Sequence, residues 1–384
     1  MSMKGDEHPF IYLNNAATAF PRATGMSGVV SRWLDRLPVE PARSSAVGED
    51  ILDMCRHEAA ALLKFDSPER VILTKNATEA LNVAIRGIPR KNPGIVVCAA
   101  AHNSVLRPLY RLEREQEAQL HIIPCDSAGR VLVPEWKEAV ATQKPGLVVL
   151  THASNVTGAV NPVELLLEFA RENGAATILD ASQTMGLLDI DMAKTRADVL
   201  VFTGHKYLLG PQGTGGMAIR EGIEIEPLLV GGSGVRSESP EMPRQMPLRL
   251  EAGTAAVPLF AGFHYALRWL REYYPPPLQD MMDRALRLEK ELANLGARVA
   301  AVPGLRAPIV SFTLPGWDVA DAGYILEKNF NIICRTGLHC APLIHRFIGS
   351  EPEGSVRFSF SRFTTDDELD LTMEAVGRII FASR

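Results

Sequence analysis

A chain of 384 residues is too long for one ordinary compact core, so two units are expected; 46% apolar and 22% charged residues suit a soluble, enzyme-sized globular protein. The net charge of −5, with no basic run interleaved with aromatics, argues against nucleic acid as a partner. The five cysteines are scattered without a CxxC pair, which excludes a disulfide framework and a zinc ribbon; the opening MSMKGDEHPF lacks the apolar core of a signal peptide, and no apolar run could span a bilayer, so a cytoplasmic protein without a membrane partner is expected.

Residues 8–24 read as an N-terminal arm, with Asn14, Asn15 and small residues, turning into a helix; a bland surface segment is an equal reading. Residues 49–65 carry Ile51, Leu52, Cys55, Ala59, Leu62 and Leu63 at helical spacing, which places Cys55 in a core. Val71 to Leu73 then form a short strand, and TKNATE leads into an amphipathic helix that Gly87 can close. A strand, a polar turn and a helix N-terminus present free N–H groups to an anion, and Thr78 can add a hydroxyl; a plain helix cap fits the same residues.

Strand-like and helix-like segments alternate from there: a strand at 94–99, a helix at 105–119, a strand at 120–124, a helix at 133–141 and a strand at 147–150 ending in THASN. Asn161 reads as the cap of the next helix, with Pro162 at its first position and Gly174 at its stop. A strand at 176–179 ends at Asp180, and Val199 to Phe202 run into Thr203, Gly204, His205 and Lys206. This alternation implies a mostly parallel sheet covered by helices on both faces. Glycines 204, 210, 213, 215 and 216 are read as turns with positive φ that let a flat ligand approach the backbone.

His102, Asn155, Asp180 and Lys206 all fall at the carboxyl ends of predicted strands, where ligands of open α/β sheets bind. A carboxylate one crossover before a lysine able to form a Schiff base is a specific pairing. It matches what pyridoxal 5'-phosphate requires: a lysine for the aldehyde carbon, an Asp for the ring nitrogen, a helix N-terminus for the phosphate, and a stacking partner and polar donor such as His102 and Asn155.

From about residue 221 the pattern changes to a long Gly- and Pro-rich loop through LEAGT, of a kind that is usually functional or interfacial. A helix at 259–273, a break at Pro275–Pro277 and a charged helix at 278–295 follow. Strands at 309–313, 332–334 and 356–360 with helices at 319–328 and 366–380 complete a smaller α+β unit. Within it, RTGLHCAP places Cys340 after a Gly-containing turn, accessible, with Arg335 and His339 expected to favour its thiolate; a structural cysteine is the alternative, and a zinc site of His339, Cys340 and His345 lacks a fourth ligand.

These motifs, TKNATEALN, HASNVTGAVNPV, LDASQ, FTGHK, LEAGT and RTGLHCAP in order, resemble the class V, fold-type I enzymes that use pyridoxal 5'-phosphate, and within them the cysteine desulfurases, with selenocysteine lyase as a close relative. The resemblance runs from Tyr12 to the RFSFSRF at Arg357. It implies a large α/β cofactor-binding domain at 15–255, with a seven-stranded-type sheet, and a small α+β domain from 1–14 and 256–384. It also implies Lys206 as the Schiff-base lysine and Asp180 as the partner of the ring nitrogen, with Gln183 and Asn155 facing the phenolic oxygen. Ala77, Thr78, Thr203 and His205 would form the phosphate cup. Thr254 would reach the phosphate of a second subunit, hence a homodimer. His102 would stack on the ring, Arg357 hold the substrate carboxylate and Cys340 accept the sulfur as a persulfide. Two features depart from the family pattern: Ala101 stands where an acidic residue often precedes the histidine, and the segment from 341 to 356 is short. The implied activity is conversion of cysteine to alanine, with a sulfur-acceptor protein as a further partner. Selenocysteine lyase, another class V lyase or an aminotransferase shares the same cofactor residues, and a non-catalytic cofactor-binding protein is an alternative of another class. A nicotinamide enzyme is excluded by the lack of GxGxxG after an early strand.

Overall fold

The computed structural model describes residues 10–36, 50–273 and 278–382; residues 1–9 and 49 and the break at Pro275–Pro277 lie outside them. Its centre is a seven-stranded sheet in the order Val71–Thr74, Gly215–Ile219, Val199–Thr203, Ala176–Asp180, Leu147–Thr151, Gly94–Cys98, Gln119–Ile123. Five strands are parallel. Gly215–Ile219 runs antiparallel to both its neighbours. Two reversals restore direction, so Val71–Thr74 points the same way as the parallel strands, and six carboxyl ends share one edge.

The inner strands are almost wholly apolar because both faces are covered, whereas the edge strand Gln119–Ile123 carries Gln119 and His121 and is partly exposed. Alternate residues go to opposite sides: Val96, Val148, Leu150, Leu200 and Phe202 join one core, while Ile95, Val97, Leu147, Val149, Val199 and Val201 join the other. Burial of a Leu- or Phe-sized side chain contributes roughly 1.5–3 kcal/mol, so this two-sided core dominates the stability of the layer.

The smaller unit is a four-stranded antiparallel sheet, Arg335–Gly337, Ser355–Ser359, Ile309–Thr313 and Arg298–Val299, with the helices Leu278–Leu295, Val319–Phe330 and Asp366–Ala382. Its core includes Phe312, Phe358, Leu288 and Val376. Ile11–Tyr12 pairs in parallel with Ile332–Ile333, so the N-terminal arm joins this unit. The expected α/β layer and smaller C-terminal α+β unit are both present. The boundary read at 255 falls just before the helix Val257–Tyr273, whose Phe260, Phe263 and Leu267 pack into the core of the large layer.

Several local expectations are corrected. The helix after His102 is Asn103–Arg114, shorter than 105–119, because Gln116 takes φ 61 without a glycine to announce the turn. Asn161 does not cap the following helix, which begins at Val163; its side chain accepts from Val131 N at 2.9 Å and donates to the Thr151 carbonyl at 2.8 Å, tying two loops together. Of the five glycines around Lys206 only Gly213 has positive φ. Gly215 and Gly216 lie in a strand, and a Cβ on Gly216 would stand 2.5 Å from the Ile72 carbonyl oxygen, so its role is close strand packing.

Candidate active site

The shared edge of carboxyl ends opens into a cavity of about 260 Å³, closed on the far side by the small unit. Lys206, Asp180, Gln183, Asn155, Ala77, Thr78, Thr203, His205, His102, Arg357 and Cys340 all line it. Thr254 does not; it is exposed on the long loop. Glu251, three residues earlier, anchors that loop by accepting from Leu73 N at 2.7 Å and pairing with the buried Arg56 at 2.6 Å.

The helix Ala77–Gly87 begins at the cavity wall. Asn76 caps it, its side chain accepting from Glu79 N at 2.9 Å, while the Glu79 carboxylate accepts from Lys75 N at 2.8 Å. The N–H groups of its first turn and the positive end of its dipole are therefore presented to the cavity beside Thr203 and His205, an arrangement that can accept an anion. His205 is neutral, its pKa lowered to about 4 by burial and by the charges of Lys206 and Arg22.

Asp180 ends its strand buried, and Ser182 fixes its carboxylate by donating from both N (3.0 Å) and Oγ (2.5 Å) to Oδ1. Lys206 is half-buried, and desolvation lowers its pKa to about 8 against the opposing pull of Asp180. His102 caps the helix Asn103–Arg114, with Nδ1 accepting from Ser104 N at 3.0 Å, which leaves Nε2 to carry the ring proton. Burial, then the Lys206 charge, lowers its pKa to about 4, so the ring is neutral and free to stack.

Arg357 arrives from the strand Ser355–Ser359. It is 3% exposed, donates to the Asn155 carbonyl at 2.7 Å and to Asn14 Oδ1 at 3.2 Å, and burial lowers its pKa to about 10. It remains cationic at neutral pH. Gln183 and Asn155 each use one amide N–H on a backbone carbonyl, that of Ala16 (3.0 Å) and of His339 (2.7 Å), keeping a second to offer.

Of the five cysteines, Cys55, Cys98 and Cys125 are buried, Cys334 is half-buried and Cys340 is exposed. The expectation that His339 favours the thiolate by charge is corrected. Its ring is 4% exposed, and burial, then the charge of Arg357, holds its pKa well below the ordinary value, so it is neutral. The positive charge that acts on Cys340 comes instead from Arg357 and Lys206, while Arg335 is a further cation lining the same cavity.

The cavity fits the cofactor's donor set. Thr203 Oγ1, Gln183 Oε1 and Asn155 Oδ1 are buried without a hydrogen-bond partner among the described residues, which native proteins rarely tolerate unless something completes them. A carboxylate, an amine and a helix N-terminus surround them.

Sequence reasoning missed several contributors: Ser182 and Ser104, which orient the carboxylate and the imidazole, and the arm residues Asn14, Ala16, Ala17 and Thr18. Ala16 and Ala17 line the cavity, and Thr18 Oγ1 lies 3.1 Å from His205 Nδ1. Small residues following two asparagines were the available signal.

A family model described as aminotransferase class-V matches residues 11–371. A probable cysteine desulfurase of Methanothermobacter thermautotrophicus is 30% identical over 342 residues, covering 85% of this chain and 83% of the relative. A second from Aeropyrum pernix is 30% identical over 410 residues, covering 98% and 96%. Among solved structures, the apo cysteine desulfurase from Thermococcus onnurineus NA1 matches with a TM-score of 0.85 at 25% identity, covering 97% of this chain and 95% of that one.

Proposed function

The chain belongs to the class-V aminotransferase family, and from that membership we propose that it is a cysteine desulfurase that uses pyridoxal 5'-phosphate to convert L-cysteine to L-alanine, leaving the sulfur on Cys340 as a persulfide. The observation that carries this reading is the placement of one exposed thiol, Cys340, in the same cavity as Lys206, Asp180 and Arg357.

Lys206 would hold the aldehyde carbon of the cofactor, Asp180 its ring nitrogen, and His102 its ring face. Ala77, Thr78, Thr203 and His205 would hold its phosphate, and Gln183 and Asn155 its phenolic oxygen. When bound, the cofactor supplies an electron sink for the charge left at the substrate Cα. Arg357 receives the substrate carboxylate with a fork that matches it. Released by the substrate, the Lys206 amine takes the Cα proton; a pKa near 8 keeps a useful fraction neutral at physiological pH. The Cys340 thiolate then attacks the substrate sulfur. An S–S bond forms as the Cβ–S bond breaks, and the electron pair stays with carbon; Cβ becomes the alanine methyl on protonation, and the Lys206 ammonium returns a proton to Cα.

Exposure of Thr254 and of the neighbouring Leu229 and Val230, 52% and 75%, supports a homodimer in which this loop completes the partner's phosphate site. Exposure of Cys340 at the cavity mouth suits transfer of the persulfide to an acceptor protein. A cytoplasmic site of action is part of this reading; no helix among the described residues is long and apolar enough to cross a membrane.

The test is incubation of the purified holoprotein with L-cysteine, measuring alanine and the mass increment of one sulfur atom on the peptide containing Cys340. Absence of alanine, or alanine and sulfide release by Cys340→Ala at the wild-type rate, sinks the reading.

A further inference from the structure

Cys340 is the third residue of a four-residue turn, Leu338 to Ala341, closed by the Ala341 N–H on the Leu338 carbonyl at 2.9 Å. Both central residues are left-handed, His339 at φ 50 and Cys340 at φ 58. Two successive positive φ values define the mirror-image turn that Gly, Asn and Asp dominate. Neither His nor Cys relieves that strain locally, so the surroundings must hold it, and strain of this kind persists where position matters.

Three groups outside the turn hold it. Asn155 Nδ2 donates to the His339 carbonyl at 2.7 Å, and the backbone N–H of Asn103 donates to the Cys340 carbonyl at 2.6 Å. The third contact is made by a side chain of the turn itself: His339 Nε2 lies 3.0 Å from Ser355 Oγ, on the strand that carries Arg357 two residues later. Behind it the ring of His345 stands 5.8 Å away, fully buried and fixed by Ser350 Oγ at 2.7 Å. Burial keeps both imidazoles neutral, so their contribution is shape and hydrogen bonding rather than charge. Successive residues of the turn therefore go to different places: His339 is buried in the small unit and Cys340 is exposed at the cavity.

We propose that His339 is a positioning residue, whose ring, keyed to Ser355 and backed by His345, holds the left-handed turn that aims the Cys340 thiol at the substrate sulfur. The same strand fixes Arg357, so Ser355 sets the thiol and the carboxylate-binding guanidinium on one rigid support. This inference rests on the persulfide reading above.

The test uses the holoprotein and two variants, Ser355→Ala and His339→Asn; asparagine tolerates the left-handed backbone but lacks the ring. Two rates are compared at saturating substrate: persulfide formation on Cys340 from L-cysteine, and exchange of solvent deuterium into the Cα of L-alanine, which needs Lys206 but no thiol. The ratio of the first to the second is expected to fall about tenfold or more in both variants, since a misplacement near 1 Å can cost about 100-fold. Backbone amide exchange of the peptide containing Ala341 is expected to quicken in the cofactor-free variants, a readout independent of turnover. A ratio unchanged from the parent, or an equal fall in both rates, overturns the positioning role. If His339→Asn does not fold, Ser355→Ala carries the same comparison. Failure of the parent to form a persulfide at all instead condemns the function proposed above.

Discussion

Arg357 Nη1 donates to the main-chain carbonyl of Asn155 at 2.7 Å, so the buried guanidinium of the small sheet is registered on a strand end of the large one. That contact links the two units at the point where substrate would bind. Lysine in place of arginine would keep the charge but lose the planar fork and leave the Asn155 carbonyl and Asn14 Oδ1 without their donor. Arg357→Lys is expected to lower kcat/KM for cysteine by roughly 10- to 100-fold, from loss of one charge-assisted hydrogen bond of about 1.5–3 kcal/mol. Most of the effect should appear in KM; steady-state alanine production with an unchanged KM would contradict it.

Ser182 offers a second, smaller test. Its hydroxyl and N–H both converge on Asp180 Oδ1, holding the carboxylate in one orientation. Ser182→Ala removes the hydroxyl and keeps the N–H, so cofactor affinity is expected to fall about tenfold, the equivalent of one charge-assisted bond. Equilibrium dialysis of pyridoxal 5'-phosphate measures this directly, and Ser182→Thr should restore most of the loss. Equal affinity in the alanine variant would show that the backbone N–H suffices.

The sequence-legible part of the site consists of polar residues that interrupt long apolar runs. His102, Asn155, Asp180 and Lys206 stand out because parallel strands buried on both faces are apolar to their ends. The small residues that orient them are silent in sequence: Ser182 and Ser104 look like ordinary turn residues, and only their geometry reveals two donors on one acceptor atom. The glycine-rich stretch after Lys206 misleads for a related reason. Gly215 and Gly216 resemble a turn, yet they lie in a strand paired on both sides, and they are glycines because Asn76 and Ile72 approach too closely for any Cβ. The strain at His339 and Cys340 is invisible as well, since neither residue type announces a left-handed backbone.

Gly216 makes that packing argument testable. An added Cβ would sit 2.5 Å from the Ile72 carbonyl oxygen and 2.7 Å from Phe202 Cζ. The first neighbour is backbone of the adjacent strand and cannot rotate away, so the strands must separate. Gly216→Ala is expected to destabilise the protein by about 1–3 kcal/mol, the usual cost of overpacking. The midpoint of urea unfolding should drop at constant slope; an unchanged midpoint would mean the edge strand yields freely.

The lowered pKa of Lys206 predicts the pH dependence of cofactor capture. Desolvation disfavours the charged amine, while the nearby carboxylate of Asp180 partly restores it, and the balance places the folded pKa at about 8 against an ordinary value of 10.5. Only the neutral amine attacks an aldehyde, so the rate at which cofactor-free protein captures pyridoxal 5'-phosphate should rise with pH through about 8 and level off above it. The same shift affects folding with a definite sign. Between pH 8 and 10.5 the unfolded chain holds the proton that the folded chain has released, so this group makes stability increase with pH across that window. Asp180→Asn removes the carboxylate that raises the pKa, and the capture profile should move to lower pH. Stopped-flow absorbance of capture at a series of pH values reads both midpoints. A wild-type midpoint near the ordinary lysine value, or a midpoint that moves upward in the asparagine variant, would show that burial does not control this amine.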